Sequence, residues 1–295
     1  MKIVKILIVG DNKQYSLETF YLNNLQKLGA DVSIFNSREF VDRYRERFFN
    51  KVKLKFGDQT VYNTIGTELL KKAKSYNPTV IMVFKGMELN LSTLREIRNN
   101  GVFLINYNPD HPFSFSGLGS GNKNVLANNS VYNLHLTYGV SILVEIKKKL
   151  GANCEILPFG YEFSSNQFDQ IEKFNEINRV CFIGYPDKRR ASKIKYLLAN
   201  QIPVTVFGGN WSYFLSKNDN LIINNKPLYG LEYWRKLREY RVQLNIFRPH
   251  NLGTHNMRSF EIPVAGGIML STNDSDHELY FKKDFEFFEY SNDKE

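Results

Sequence analysis

The chain has 295 residues, 42% hydrophobic and 23% charged, an ordinary globular balance that excludes disordered, collagen-like and coiled-coil classes and, at about 100–200 residues per domain, predicts two domains. Lys and Arg number 39 against 30 Asp and Glu, a formal net charge of +9, which favours an anionic partner without choosing among nucleotides, nucleic acids and anionic surfaces. The two cysteines, Cys154 and Cys181, make no disulfide framework and sit in no metal-ligand spacing, so a reducing cytoplasm is the expected location.

Short β-branched runs alternate with amphipathic segments of roughly 10–18 residues, the pattern of repeated β–α–β units around a parallel sheet. Residues 3–9 are the first strand. The run is apolar but broken by Lys5 and closed by Gly10 and Asp11, too short for a signal-peptide core, and no stretch of ~18 apolar residues could span a membrane. Residues 16–28 place Leu17, Phe20, Tyr21, Leu25 and Leu28 on one helical face before Gly29, and 32–35 form the second strand. Helices are predicted over 38–50 and 61–76, then a buried strand over 79–84 ended by Lys85 and Gly86, a helix over 91–99 and a strand over 102–106. Prolines at 109 and 112 hold 107–112 as a loop that continues through 117–121. A strand over 131–137 and a helix over 141–150 complete the first unit. A polar linker over 164–169 puts the boundary there, giving domains 1–164 and 165–295. The second half repeats the alternation, with strands over 179–183, 204–207, 221–223, 242–247 and 268–270 and helices over 188–199, 229–239 and 256–265. The predicted fold class is α/β, two Rossmann-like units in tandem.

In open parallel sheets ligands bind outside the carboxyl ends of the strands, so the loops that follow strands carry the candidate chemistry. In residues 251–267, Gly253 and a cap at Thr254 open a helix whose free N–H groups and dipole suit a phosphate. Arg258 and Glu261, three apart, share a face. A guanidinium there suits a diphosphate, and a carboxylate one turn deeper suits a pair of ribose hydroxyls, although the pair could equally be an intrahelical salt bridge. In residues 180–190, Gly184 precedes a turn and the basic cluster Lys188, Arg189 and Arg190, which could grip phosphates or merely begin a solvated helix. Gly208 and Gly209 before Trp211 allow close approach to a ligand or form a plain turn. Asp110 and His111 stand side by side after a strand and suit proton transfer, or simply a turn. Neither G-x-G-x-x-G nor G-x₄-G-K-[ST] is present, no zinc-helix spacing joins His250 to His255, and no nucleophile elbow occurs. Arg38, Arg43, Arg45 and Arg47, with aromatics between, could face nucleic acid or an anionic surface, diluted by Glu39, Asp42 and Glu46.

The order of these segments resembles the spore-maturation CgeB-like glycosyltransferases, a family of the GT-B superfamily. The shared pieces are Phe84-Lys85-Gly86, the Asp110-His111-Pro112 loop, V-x-F-I-G followed by arginine, F-G-x-x-W, and R-x-F-E-x-x-x-A-G-G, spread over about residues 80–270. The resemblance implies two Rossmann-like domains facing across a cleft, a nucleoside-diphosphate sugar (UDP or GDP) held by the C-terminal domain, and an acceptor met by the N-terminal one. It implies Glu261 as the ribose carboxylate, and Arg258 with the backbone of the segment from Gly253, Thr254, His255 and Asn256 to residue 257 as diphosphate contacts. Arg189 or Arg190 would be a second phosphate ligand, Gly184, Gly208, Gly209, Trp211 and Tyr229 would line the base or cleft loops, and Gly10 and Lys85 the acceptor side. Asp110 and His111 would be catalytic. Arg189, Arg190 and Arg258 are expected to face one cleft. Hexosyl transfer without a metal ion or other cofactor follows, because basic side chains and a helix N-terminus can neutralise the leaving diphosphate.

The acceptor, a glycan, a surface protein or a small molecule, is not specified by the residues, nor is the oligomeric state. Many retaining enzymes of this superfamily carry E-x₇-E, and the position eight before Glu261 is Gly253, which leaves stereochemistry and donor sugar open. That departure favours the main alternative, a non-catalytic module of the same shape that binds a nucleotide or glycan. An oxidoreductase lacks its glycine fingerprint, and nucleic acid is not an expected partner. The chain ends at 290–295, where a final helix returning to the N-terminal domain would be expected to begin.

Overall fold

The computed structural model describes residues 4–115, 119–251, 253–273 and 276–292. The chain divides into two compact units, Met1–Leu157 and Pro158–Glu295. In the first, β1 (Lys5–Gly10), α1 (Leu17–Lys27), β2 (Asp31–Asn36), α2 (Ser37–Arg45), α3 (Phe48–Lys55), α4 (Thr60–Tyr76), β3 (Val80–Phe84), α5 (Leu91–Asn99), β4 (Phe103–Tyr107), α6 (Lys123–Asn128), β5 (Leu134–Thr137), α7 (Val140–Leu150) and β6 (Cys154–Ile156) follow in order. Among the described residues they build a six-stranded parallel sheet ordered β2-β1-β3-β4-β5-β6. Alternate residues enter opposite cores, as the two-residue period of a strand requires. Leu7, Val9, Ile81, Val83 and Leu104 pack with Ile65 and Leu69 of α4 and Leu94 and Ile97 of α5, while Ile8, Met82, Phe84 and Tyr107 meet Leu17, Tyr21 and Leu25 of α1.

The second unit holds α8 (Ser165–Ile171), β7 (Val180–Ile183), α9 (Lys188–Ala199), β8 (Val204–Phe207), β9 (Leu221–Asn224), α10 (Gly230–Glu239), β10 (Val242–Asn245), α11 (Met257–Val264), β11 (Ile268–Thr272) and β12 (Phe287–Tyr290). Its described strands form a second six-stranded parallel sheet ordered β12-β11-β10-β7-β8-β9. Cys181, Ile183, Phe207 and Met269 pack with Trp234 and Leu237 of α10 and Ile262 of α11. Phe182, Val204, Val206 and Leu244 meet Ala191, Ile194 and Leu198 of α9 on the other face. In each sheet the strand order reverses once beside the first strand, between β1 and β3 and between β7 and β10, which creates a crevice at the carboxyl edge.

Several expectations are corrected. The helix expected over 38–50 is two, α2 and α3, because Arg47 is extended (φ −83°, ψ 126°) and the Asn50 amide donates to Tyr44 O across the break. The expected linker over 164–169 is largely α8, begun by a capping box between Ser164 and Gln167. Residues 158–164, assigned by sequence to the first unit, belong to the second. There Phe159 N donates to the His255 ring at 3.2 Å and the Phe163 ring stacks on Trp234 at 4.3 Å. Strands β6 and β12 and helix α6 were not expected. Part of the loop expected over 117–121 lies outside the described residues.

Candidate functional site

The second unit gathers its polar side chains at the carboxyl edge, around the crevice between β7 and β10. Helix α11 begins there because Asn256, not Thr254, is its cap: the Asn256 carboxamide accepts from Ser259 N at 3.1 Å, and Ser259 Oγ accepts from Asn256 N. Thr254 instead donates its hydroxyl to Asn251 O at 2.7 Å. Asn245, at the end of β10, ties strand to helix by accepting from the Asn256 amide at 2.8 Å and donating to Ser259 Oγ at 3.2 Å. Ser259 Oγ also lies 2.6 Å from His277 Nε2, and burial lowers the His277 imidazole to about 4. The helix ends at Gly266, whose φ of +82° is the left-handed closing turn that glycine adopts without a Cβ clash. Its first N–H groups have no partner within the helix, which leaves a polar, electropositive helix start.

Arg258 and Glu261 lie one turn apart on this helix. Glu261 is buried, and its Oε2 accepts the Tyr233 hydroxyl at 2.6 Å from α10. Burial pushes the carboxyl up, opposed by the Arg258 charge and the Tyr233 hydrogen bond. The Arg258 guanidinium sits over the Tyr233 ring, 5.9 Å from its centroid. Its Nε is buried and has no hydrogen-bond partner. A buried orphan donor on a cation is costly in a finished fold, and it suits a site that completes itself with an anion.

The other sequence candidates divide into ligand-facing and structural groups. Arg190 donates through Nε and Nη2 to Ile246 O at 3.1 and 3.0 Å and through Nη1 to Tyr185 O at 2.9 Å. Expected as a phosphate ligand, it clamps the loop after β7 to the end of β10. Burial, with Arg258 and Arg248 nearby, brings its guanidinium down to about 10. Arg190, Arg248 and Arg258 therefore share one electropositive region. Arg189 is the second residue of α9 and half-buried. His255, whose backbone belongs to the expected diphosphate segment, uses its side chain structurally. It is fully buried, accepts from Phe159 N through Nε2 and meets Asp276 Oδ1 through Nδ1 at 2.9 Å, so its ring holds the loop in shape. Gly253 is exposed.

Trp211, expected in a cleft loop, is a core residue, fully buried against Phe182 with its indole N–H on Gly184 O at 2.8 Å. That contact draws the loops after β7 and β8 together. Gly208, at φ +133°, lies where a Cβ would stand 2.3 Å from Gly184 O. Gly209 faces the ring of Tyr185, 3.2 Å from where its Cβ would be. Tyr185 and Tyr229 remain about half exposed. Sequence reasoning missed Tyr233, Asn245, Arg248 and Tyr185. Tyr185 and Arg248 lie two and three residues beyond the ends of β7 and β10, the signal that could have found them.

In the first unit the crevice between β1 and β3 carries the other candidates. Gly10 ends β1 where a Cβ would overlap the Glu18 carboxylate at 2.5 Å, and Glu18 Oε1 accepts Asp11 N at 3.1 Å. Burial raises the Glu18 carboxyl, with Lys85 opposing. Lys85, in the left-handed region at φ 59°, pairs with Asp110 at 2.5 Å and donates to Gly119 O at 2.7 Å. His111 is corrected as a proton acceptor. Its Nδ1 accepts from Phe113 N and Ser114 N at 3.2 and 3.1 Å, and Nε2 meets Glu145 at 3.1 Å. Both nitrogens are thereby committed to shaping the turn. Glu18, in the first turn of α1, was missed. Among the described residues no three His, Cys, Asp or Glu side chains cluster as metal ligands, and no helix is long and apolar enough to cross a membrane.

Residues 189–295 match the family model of a glycosyl transferase-like domain. No curated protein matches in sequence. Among solved structures, one described as trehalose-6-phosphate from E. coli bound with UDP-2-fluoro glucose aligns with a TM-score of 0.60 at 12% identity, over 92% of this chain and 85% of that one. A UDP-forming trehalose-phosphate synthase from Burkholderia xenovorans aligns at 0.58 and 11%, over 92% and 85%. A UDP-GlcNAc 2-epimerase from Methanocaldococcus jannaschii, in complex with UDP-GlcNAc and UDP, aligns at 0.54 and 12%, over 92% and 84%. The chain has the α/β fold of the GT-B class, and its residues 189–295 are similar to a glycosyl transferase-like domain.

Proposed function

We propose that this protein transfers a glycosyl group from a nucleoside-diphosphate sugar to an acceptor hydroxyl, with the nucleotide bound at the carboxyl edge of the second sheet. The observation that carries the reading is the Arg258–Glu261 pair: a guanidinium whose Nε is buried without a partner, one turn from a buried carboxylate with Oε2 fixed by Tyr233. In that geometry Glu261 Oε1 accepts from ribose hydroxyls, and Arg258 with the α11 N-terminus receives the diphosphate. A UDP donor is favoured because the trehalose-phosphate synthase and the epimerase named above are UDP-linked proteins.

Transfer breaks the bond between the sugar and the diphosphate and forms one to the acceptor oxygen. Negative charge grows on the leaving diphosphate, where the electropositive edge stabilises it without a metal ion. The acceptor proton passes to a general base or to solvent as the new bond forms. The proposed family is the CgeB-like one, on the motifs described above. Glu261→Ala and Arg258→Ala are each expected to weaken donor binding, the arginine change also slowing transfer. Unchanged donor affinity and turnover in both variants would reject the assignment.

A second reading, a non-catalytic nucleotide- or glycan-binding module, is favoured by one observation, Gly253 at the place of a sugar-contacting carboxylate. Release of free nucleoside diphosphate from a donor separates the two: an enzyme liberates it in proportion to enzyme concentration, and a binding module does not.

A further inference from the structure

Helix α3 presents an outward face unlike any other in the first unit. Phe48, Phe49 and Phe56 are 73, 78 and 87% exposed, with Val52 between them at 37%. Asn50 and Leu54 turn inward, the former to Tyr44 O and the latter onto the core. The Phe48 and Phe49 rings touch edge to face at 6.1 Å, and Phe56 follows about two turns further along the same helix, so one face carries exposed aromatic surface on the order of 500 Å² for three phenylalanines. A patch of that size on a soluble surface marks an interaction site.

The surrounding charge is predominantly basic, although Glu46 is exposed between Arg45 and Arg47. Helix α3 contains no acidic residue, and Arg45, Arg47, Lys51 and Lys53 are exposed around it. Among the described residues neither Arg47 nor Lys51 is in a salt bridge, while Arg43 is paired with Glu39 and Asp58 is taken by Tyr44 and Thr60. A second copy of this chain docking two-fold on the patch would bring these cations against themselves. A nucleic acid strand needs a basic groove to follow, whereas these rings project from a short helix. A bilayer makes no demand for a matching shape. It accepts phenylalanine rings at the level of the acyl boundary and attracts flanking Lys and Arg to anionic headgroups.

We propose that α3, with Arg45 and Arg47 just before it and Lys51 and Lys53 on it, is a peripheral membrane-docking element that seats Phe48, Phe49 and Phe56 in the interface of an anionic bilayer. The inference does not depend on the glycosyltransferase reading.

Co-sedimentation with vesicles tests it, using the full chain. Binding is expected to vesicles of phosphatidylcholine mixed with phosphatidylserine, with little to phosphatidylcholine alone, and to weaken at about 0.5 M salt where surface charge is screened. The triple variant Phe48→Ser, Phe49→Ser, Phe56→Ser and the double variant Lys51→Glu, Lys53→Glu are each expected to lower vesicle partitioning about tenfold or more. The substituted side chains are exposed, and an unchanged thermal midpoint confirms that the variants fold. Equal partitioning of wild type and folded variants, or equal binding to neutral and anionic vesicles, would overturn the proposal. So would a dimer or an oligonucleotide complex lost in the triple variant while vesicle binding is absent.

Discussion

The Tyr233 hydroxyl stands 2.6 Å from Glu261 Oε2 and donates to it from a neighbouring helix. A hydrogen bond to a buried carboxylate does two things: it fixes which oxygen remains for a ligand, and it favours the ionised form that can accept hydroxyl protons. Removing it with Tyr233→Phe is expected to weaken nucleotide-sugar binding about tenfold, the order of one hydrogen bond to a charged group. Because Tyr233 lowers the Glu261 carboxyl against the rise due to burial, the substitution raises it further. The acid limb of the binding profile then moves to higher pH. An affinity loss with no movement of that limb would assign Tyr233 to packing alone.

The Arg190 fork joins Tyr185 O to Ile246 O. Lysine carries the charge but not the fork, so Arg190→Lys cannot hold Tyr185 O and Ile246 O together and forfeits at least one hydrogen bond from a charged donor, a loss of about 1–3 kcal/mol. Chemical denaturation gives the value. A change below about 0.5 kcal/mol, the range of ordinary surface substitutions, would show that the clamp contributes little.

Gly208 takes a φ of +133° with Gly184 O 2.3 Å from the position of a Cβ. Gly208→Ala must displace backbone in the two loops at the crevice, and it is expected to destabilise the second unit by about 1 kcal/mol or more. Donor affinity should fall with it. Full affinity and an unchanged unfolding midpoint would mean that the close approach of these loops is not required.

His277 gives a pH dependence with a definite sign. Its imidazole is held at about 4 by burial, against an ordinary 6.5. Between those values the unfolded chain binds a proton that the folded chain does not, so stability rises with pH across that window. The contribution is complete above 6.5, is lost as pH falls toward 4, and amounts at most to about 3 kcal/mol. His277→Gln retains a polar partner for Ser259 and removes the titration, so the slope of unfolding free energy from pH 4 to 6.5 should flatten. The same slope in both proteins would place the acid sensitivity elsewhere.

Much of the fold was legible in sequence because its signals are local. Strands such as β8 and helices such as α5 and α9 matched their predicted bounds, since continuous apolar runs and one-sided amphipathic faces fix them without tertiary context. Helix α8 was hidden by polar composition, although its Ser164–Gln167 capping box was present to be read. The short strands β6 and β12 depend on pairing with β5 and β11, which a local window does not contain. At the candidate site, the shared helical face of Arg258 and Glu261 was readable from their spacing, whereas the roles proposed for them rest on the family resemblance. The roles of Arg190, His255, His111 and Trp211 were not readable, because each is decided by atoms distant in sequence: Ile246 O, Asp276, Glu145 and Gly184 O. A residue type suited to catalysis or binding is equally suited to holding a loop.

Calorimetric titration of a UDP-sugar and of UDP into wild type, Arg258→Ala and Glu261→Gln tests the central claim most directly. Saturable binding to the wild type, weakened about tenfold or more in each variant while both retain the wild-type fold, is the result expected from one guanidinium on the diphosphate and one carboxylate on the ribose. Wild-type affinity in both variants, or no binding of any nucleoside diphosphate to the wild type, would contradict it.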